Sequence, residues 1–205
     1  MTNRDHRRGV PAEPVARALT CLACALLLTG LVAGCAAKKF TDISPGLESR
    51  GSYIKGVPFY QQSETTGGAS ALASVLDFHG RPDRLEHITD KIYLPELRVT
   101  RLIDMEAFAR SAGFKTDSHR GSIGELKSYI RKRMPVISML DLGFGLDHEP
   151  HYVSVIGYDD INEVFVVHDG LAPNNVVGYK HFNKLWVRAD YWMLVIEPAS
   201  EEAGK

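Results

Sequence analysis

A change of apolar periodicity at Pro135 constrains this chain more than any other feature. Before it, apolar residues recur at helical spacing: Ala71, Leu72, Val75 and Leu76; then Leu85, Ile88 and Ile92; then Leu102, Met105, Phe108 and Ala109; then Ile123, Leu126 and Ile130. After it come short runs rich in Val, Ile and aromatics at 136–140, 151–158, 163–167 and 191–197, with Asp159-Asp160-Ile161-Asn162 as a hairpin connection. A helical half followed by an antiparallel sheet predicts an α+β fold in two lobes with a cleft between them.

Local signals place the helix ends. Asp83-Arg84-Leu85-Glu86 and Ser122-Ile123-Gly124-Glu125 have the form of capping boxes, in which the first side chain accepts from the backbone N–H three residues on. Thr100 can cap the third helix, Gly113 stops it, and Pro135 closes the fourth.

With 205 residues, 44% of them hydrophobic, and a formal charge of −1, the chain has material for one ordinary domain with a core. So balanced a charge gives no electrostatic case for a nucleic-acid partner. The short basic run Arg131-Lys132-Arg133 falls at a helix end, where cations complement the dipole. There are no internal repeats.

The first 34 residues read as a signal peptide. Arg4, Arg7, Arg8 and Arg17 make a basic leader, and the apolar run 18–31 is too short to span a bilayer comfortably. It ends Leu31-Val32-Ala33-Gly34-Cys35, which resembles a bacterial lipobox with Cys35 as the lipidated residue; an ordinary cleaved signal or a retained short anchor are the alternatives. Lipidation would attach several acyl chains and hold the protein stably on a membrane. Ala36 after the cysteine resembles signals sorted to an outer membrane, which puts the expected location in the bacterial envelope, facing the periplasm. Residues 35–56, mixed in Lys, Ser, Gly and Pro, are expected to form a lipidated N-terminus and a tether, 57–198 the domain, and 199–205 a tail. The three cysteines are Cys21, Cys24 and Cys35, so the domain itself holds no thiol and can form no internal disulfide.

Three motifs carry the functional reading. The first is Val57-Pro58-Phe59, then Gln62, Glu64, and Gly67-Gly68 opening a small-residue helix that closes at His79-Gly80. The second is His151 opening a strand that ends Gly157-Tyr158, and the third is Asp169 closing the strand 164–168. In this order they resemble the bacteriocin-processing peptidases, a papain-like cysteine peptidase family that cuts leaders after a double glycine. The resemblance extends over 57–198, with Tyr93-Leu94-Pro95, Gly113-Phe114 and Met134-Pro135-Val136-Ile137 as intermediate matches.

The resemblance implies a role for each position. Gln62 would donate to the oxyanion, with Gln61 as the alternative register. His151 would be the general base and Asp169 would orient its ring. The nucleophilic cysteine would sit at the first turn of the helix, where the helix terminus favours a thiolate. Gly67 occupies that position and has no side chain. The expectation is therefore a catalytically degenerate relative that holds a peptide or unfolded protein segment in its cleft.

Other readings of the same residues stay open. His151 can be a packed strand-start histidine and Asp169 a turn former with Gly170. Ser63, Thr65, Thr66 or Ser70 could serve as a hydroxyl nucleophile with His151, making an active hydrolase. His148, His151, His168 and Asp169 invite a metal, but Pro150 breaks the helix that a zinc-protease motif needs, so neither metal nor cofactor is expected. A structural envelope lipoprotein is the third possibility.

Overall fold

The computed structural model describes residues 38–199. The leader, Cys35 and the residues from 200 onward lie outside the described residues.

Two one-turn helices, α1 (Phe40–Ile43) and α2 (Leu47–Arg50), lead into the short strand β1 (Gly51–Tyr53). The helical half follows: α3 (Gly67–Phe78), α4 (Leu85–Ile92), a two-stranded hairpin of β2 (Tyr93–Leu94) and β3 (Val99–Thr100), and α5 (Leu102–Ser111). Then come β4 (Phe114–Arg120), α6 (Ile123–Arg131), β5 (Val136–Asp141), β6 (Pro150–Asp159), β7 (Val164–His168), β8 (Asn175–Gly178), α7 (Tyr179–Trp186) and β9 (Trp192–Pro198). The α+β expectation holds.

The strands join in one antiparallel sheet ordered β4-β9-β5-β6-β7-β8. The ten-residue β6 is its spine. Along one edge it pairs first with β5 (Pro150 to Val155) and then with β1 (Gly157 to Asp159), while β7 takes the other edge. A side chain at Gly157 would meet the Tyr53 ring at 3.0 Å and the Ser52 oxygen at 3.2 Å, so the close approach of β1 requires glycine there.

Period-two alternation sorts the sheet's side chains onto two faces. Ile137, Tyr152, Leu194 and Ile196 pack under α3, α4 and α5 together with Leu72, Leu76, Ile88 and Met105. Their neighbours Val136, Val153, Met193 and Val195 point the other way, into a second core with Leu126 and Ile130 of α6 and Phe182 and Trp186 of α7. Ser154 lies under α3, where its hydroxyl donates to the Ala71 oxygen; small residues on both surfaces let helix and sheet meet closely.

The stretch expected to be a tether is folded from Phe40 onward. Ile43, Leu47 and Ile54 are at most 3% exposed and belong to the second core. Arg50 Nε donates to the fully buried Asp159 carboxylate at 2.9 Å, and its Nη2 donates to the Ile43 oxygen at 2.8 Å. The scattered apolar residues among Gly, Ser and Pro thus cover the far end of β6 rather than staying in solvent.

Of the three N-terminal caps expected, two are not formed. Asp83 does not cap: its carboxylate accepts from the Arg84 N–H and bonds His87, and Arg84 is the cap residue. Thr100 is spent in β3 opposite Tyr93, leaving Arg101 as cap. Ser122 does accept from the Glu125 N–H at 3.2 Å, while the Glu125 side chain turns to His119 instead of closing the box.

Candidate functional site

Gly67 is the first residue of α3, capped by Thr66 without a side-chain bond. A Cβ placed there would have the Gln62 Oε1 at 3.3 Å and the Tyr152 ring at 3.8 Å as nearest neighbours. There is room for a small side chain, aimed at Gln62. Gly68 is different, since its Cβ would lie 2.6 Å from the Thr100 methyl. The β2–β3 hairpin rests on that glycine and is held by the Tyr152 hydroxyl, which donates to the Thr100 oxygen at 3.1 Å.

Gln62, rather than Gln61, reaches the vacant position. Its backbone N–H donates to the Gly170 oxygen at 2.8 Å, and its Nε2 donates to the Tyr152 oxygen at 2.8 Å. Gly170, in the left-handed region at φ 77°, leaves the space that the Gln62 side chain fills; a Cβ there would come within 1.9 Å of it. Gln61 is exposed and contributes only its main-chain oxygen, to the Ser70 hydroxyl.

His151, second residue of β6, lies beside Asp169. Burial holds its imidazole below the ordinary range, and the Asp169 charge, the Asp169 main chain and the Glu149 charge only partly offset this. The Asp169 carboxylate is committed elsewhere: Oδ1 accepts from the Leu171 and Ala172 N–H groups at 3.0 and 2.8 Å, and Oδ2 from Asn175 Nδ2 at 2.6 Å. So Asp169 closes a turn, and it acts on His151 through charge and main chain. Tyr152 links the two halves, being the neighbour of His151, the acceptor for Gln62 and the ring beside Gly67.

The other candidates are engaged in structure. Thr66 Oγ1 accepts from the Ser63 N–H at 2.7 Å and lies 3.1 Å from the Ser63 hydroxyl, and neither hydroxyl is bonded to His151. His148 Nδ1 sits 2.7 Å from the Asp141 carboxylate. Burial would raise the Asp141 pKa, yet the Glu149 N–H, His148, the Gly143 N–H and Arg188 together hold it well below the carboxylate range. His168 is buried between the Val57 oxygen, 3.0 Å from Nε2, and the Asn174 N–H, 3.1 Å from Nδ1. These bonds fix the neutral Nε2–H form, a structural post that ties the segment before Gln62 to the loop after β7.

Sequence reasoning gave Thr100, Pro150 and Gly170 other roles, as a cap, a helix breaker and a turn residue, and none of them a place at the site. With Glu64, Gly67, Gly68, Arg98 and Tyr152, Thr100 and Pro150 line a cavity of about 70 Å³ above the start of α3. That is room for about two waters, well short of the ~300 Å³ typical of a pocket that encloses a ligand. The Glu64–Arg98 ion pair at its rim, 3.3 Å long with both side chains more than three-quarters exposed, adds little stability.

Chemically, this constellation has a helix N-terminus, an amide, a histidine and a carboxylate, but no sulfur: residues 36–205 contain no cysteine.

Comparison with known proteins fits this geometry. The family model described as "Peptidase_C39 like family" matches residues 54–193. Among solved structures, the peptidase domain of Streptococcus ComA, a bifunctional ABC transporter involved in quorum sensing, superposes with a TM-score of 0.57 at 19% identity over 69% of this chain and 97% of its own. A C39-like peptidase from Bacillus anthracis gives 0.59 at 18% identity over 73% and 98%. A double-glycine-motif protease from an AMS/PCAT transporter, solved with its leader peptide, gives 0.57 at 18% over 74% and 96%. At these identities the likeness is one of fold. No curated protein sequence matches the chain. The family match spans most of the chain and includes the opening motif, the histidine strand and Asp169, so the chain belongs to the Peptidase_C39-like family of papain-like domains.

Proposed function

We propose that this protein is a lipid-anchored envelope protein whose peptidase-family domain binds an extended peptide or unfolded protein segment without cleaving it. The observation that carries the reading is Gly67 at the first turn of α3, facing Gln62, in a domain without any cysteine. Cysteine peptidase chemistry needs a thiolate at that point, and nothing else near the site takes its place. The leader and Cys35 support anchoring to a membrane.

The shallow site suits a chain laid over it. The β2–β3 hairpin is two-stranded and flanks the cavity, so a peptide backbone can add to its edge. Gln62, with its amide oxygen toward Gly67, presents an acceptor for a peptide N–H. That a homologous protease has been solved with a leader peptide favours peptides as the ligand class.

The test is titration of the purified domain with fluorescent peptides, one set ending in a double glycine and one scrambled, followed by anisotropy and by mass spectrometry of the peptides. Binding without new peptide termini is the expected result, weakened by His151→Ala. Reproducible cleavage abolished by His151→Ala would establish a working hydrolase instead, and absence of binding would leave a scaffold.

A further inference from the structure

We infer that the domain sits close against the membrane by the end that carries the β6–β7 hairpin turn, with the Gly67–His151 site at the opposite end, opening away from the lipid. This rests on the reading of Cys35 as the lipidated residue and adds to it an orientation and a contact surface.

The free chain between Cys35 and the folded domain is short. A 22-residue tether would let the domain tumble in any orientation, but α1 starts at Phe40, and Ile43 and Leu47 are already core. Lys38 is fixed as well: its Nζ donates to Asn162 Oδ1 at 2.6 Å, and the Lys39 N–H donates to Asp42 at 2.9 Å. Cys35 is three peptide links from Lys38, roughly 11 Å at full extension. The chain therefore enters the domain at the β6–β7 turn within a short reach of any lipid on Cys35.

The site lies at the other end of β6. Tyr152, which touches Gly67 and accepts from Gln62, is near the start of that strand, and Asp159 ends it. Seven residues at a strand's rise put the two roughly 23 Å apart. Arg50, bonded to Asp159, to Ile43 and to Pro45, clamps the incoming chain to the far end, so the separation is rigid. The surface turned to the lipid has Lys38, bonded to Asn162, next to Ile161, an apolar side chain 75% exposed at the turn's tip. Its nearest acids, Asp42, Asp159 and Asp160, are already bonded, Asp42 to the Lys39 N–H, Asp159 to Arg50 and Asp160 to Lys127. Glu163 closes the same turn, so attachment, more than net charge, sets the orientation. A site held on the far side draws its peptide from the aqueous compartment, or from a partner that projects from the membrane by at least that distance, and not from a chain still lying in the bilayer.

The full chain is made in a lipoprotein-processing bacterial host as Ile161→Cys and, separately, Phe144→Cys; Phe144 is 92% exposed on the β5–β6 loop at the site end. Acylation of Cys35 leaves each introduced thiol as the single labelling position. Each is labelled with a small fluorophore and reconstituted into vesicles containing nitroxide-bearing lipids, and the mass of the N-terminal peptide reports lipidation separately. Quenching of the label at 161 with none at 144 is expected. Equal quenching at both, or stronger quenching at 144, overturns the orientation while leaving anchoring intact. An N-terminal peptide without lipid overturns the anchoring itself, and the orientation with it.

Discussion

Gln62 donates from Nε2 to the main-chain oxygen of Tyr152, and this bond turns its amide oxygen, not its N–H, toward Gly67. An oxyanion hole needs a donor at that point. The side chain that the family resemblance casts as oxyanion donor lies beside Gly67, and here it braces the start of β6.

The brace depends on Gly170, whose missing Cβ leaves the space that Gln62 fills. Gln62→Ala should cost about 1 kcal/mol through the lost hydrogen bond. Gly170→Ala should cost more, about 1–3 kcal/mol, from its left-handed φ and from the collision. In the double variant the collision is gone, so the two costs should fall short of additive in urea unfolding. Full additivity would mean that Gln62 does not occupy that space in solution.

The two adjacent glycines of α3 should respond differently to a methyl group. Gly67→Ala removes a flexible residue from a helix, worth about 0.5 kcal/mol, but sets its Cβ a tight 3.3 Å from Gln62 Oε1, so stability within about 0.5 kcal/mol of the parent is expected. Gly68→Ala drives its Cβ into Thr100 and should lose about 1–3 kcal/mol. Gly67→Cys should fold as the parent does and react with iodoacetamide. If Gly67→Ala destabilised as much as Gly68→Ala, the position would be filled and unable to accept any side chain.

What the sequence disclosed and what it hid follow from side-chain physics. The helices 67–78, 85–92 and 102–111 and the strands 136–141 and 150–159 were legible because buried faces leave strict periods, and Gln62, His151 and Asp169 could be singled out because they keep their motif order. β4 was not, because Phe114–Arg120 is an edge strand whose residues beyond Phe114 are polar and partly solvated. Helix α7 left a readable signal, Tyr179, Phe182 and Trp186 at i, i+3 and i+7, which the surrounding Lys, His and Asn obscured. The commitment of the Asp169 carboxylate to Leu171, Ala172 and Asn175 could not be read, since a turn former and a triad member are the same residue type in the same place.

Acid should destabilise the domain in two separate windows. His79, His151 and His168 all have imidazoles lowered chiefly by burial. Since the folded values lie below the unfolded value of about 6.5, the unfolded chain takes up protons first. Their contribution is complete above that pH and is lost as the pH falls through it. Asp141 and Asp159 are depressed, so theirs persists to about pH 4 and is lost only below. The urea midpoint should therefore drop between pH 8 and pH 5 and drop again below pH 4. At pH 7, nitrogen NMR should show His168 as the Nε2–H tautomer; the Nδ1–H form would contradict its bond from the Asn174 N–H.

The N-terminal segment decides where the domain begins, and its energetics separate a folded arm from a tether. Leu47 is 3% exposed within the second core, so Leu47→Ala should cost about 2–5 kcal/mol. Asp159 is wholly buried, and Arg50 supplies the cation beside it while Asn162 supplies two further donors at 2.9 and 2.7 Å. Removing the cation leaves a buried carboxylate with hydrogen bonds but no countercharge, and Arg50→Ala should cost about 3 kcal/mol. A truncation that starts at Val57 removes β1 as well, exposing one edge of β6 at Gly157 to Asp159 and the apolar residues that Ile43, Leu47 and Ile54 cover. Thermal melts of the two point variants and the truncation, made from Ala36 onward to exclude the lipid, give the comparison. Melting temperatures within a degree of the parent in all three would return residues 40–56 to the role of a linker, and with it the domain's freedom to turn in any direction on its anchor.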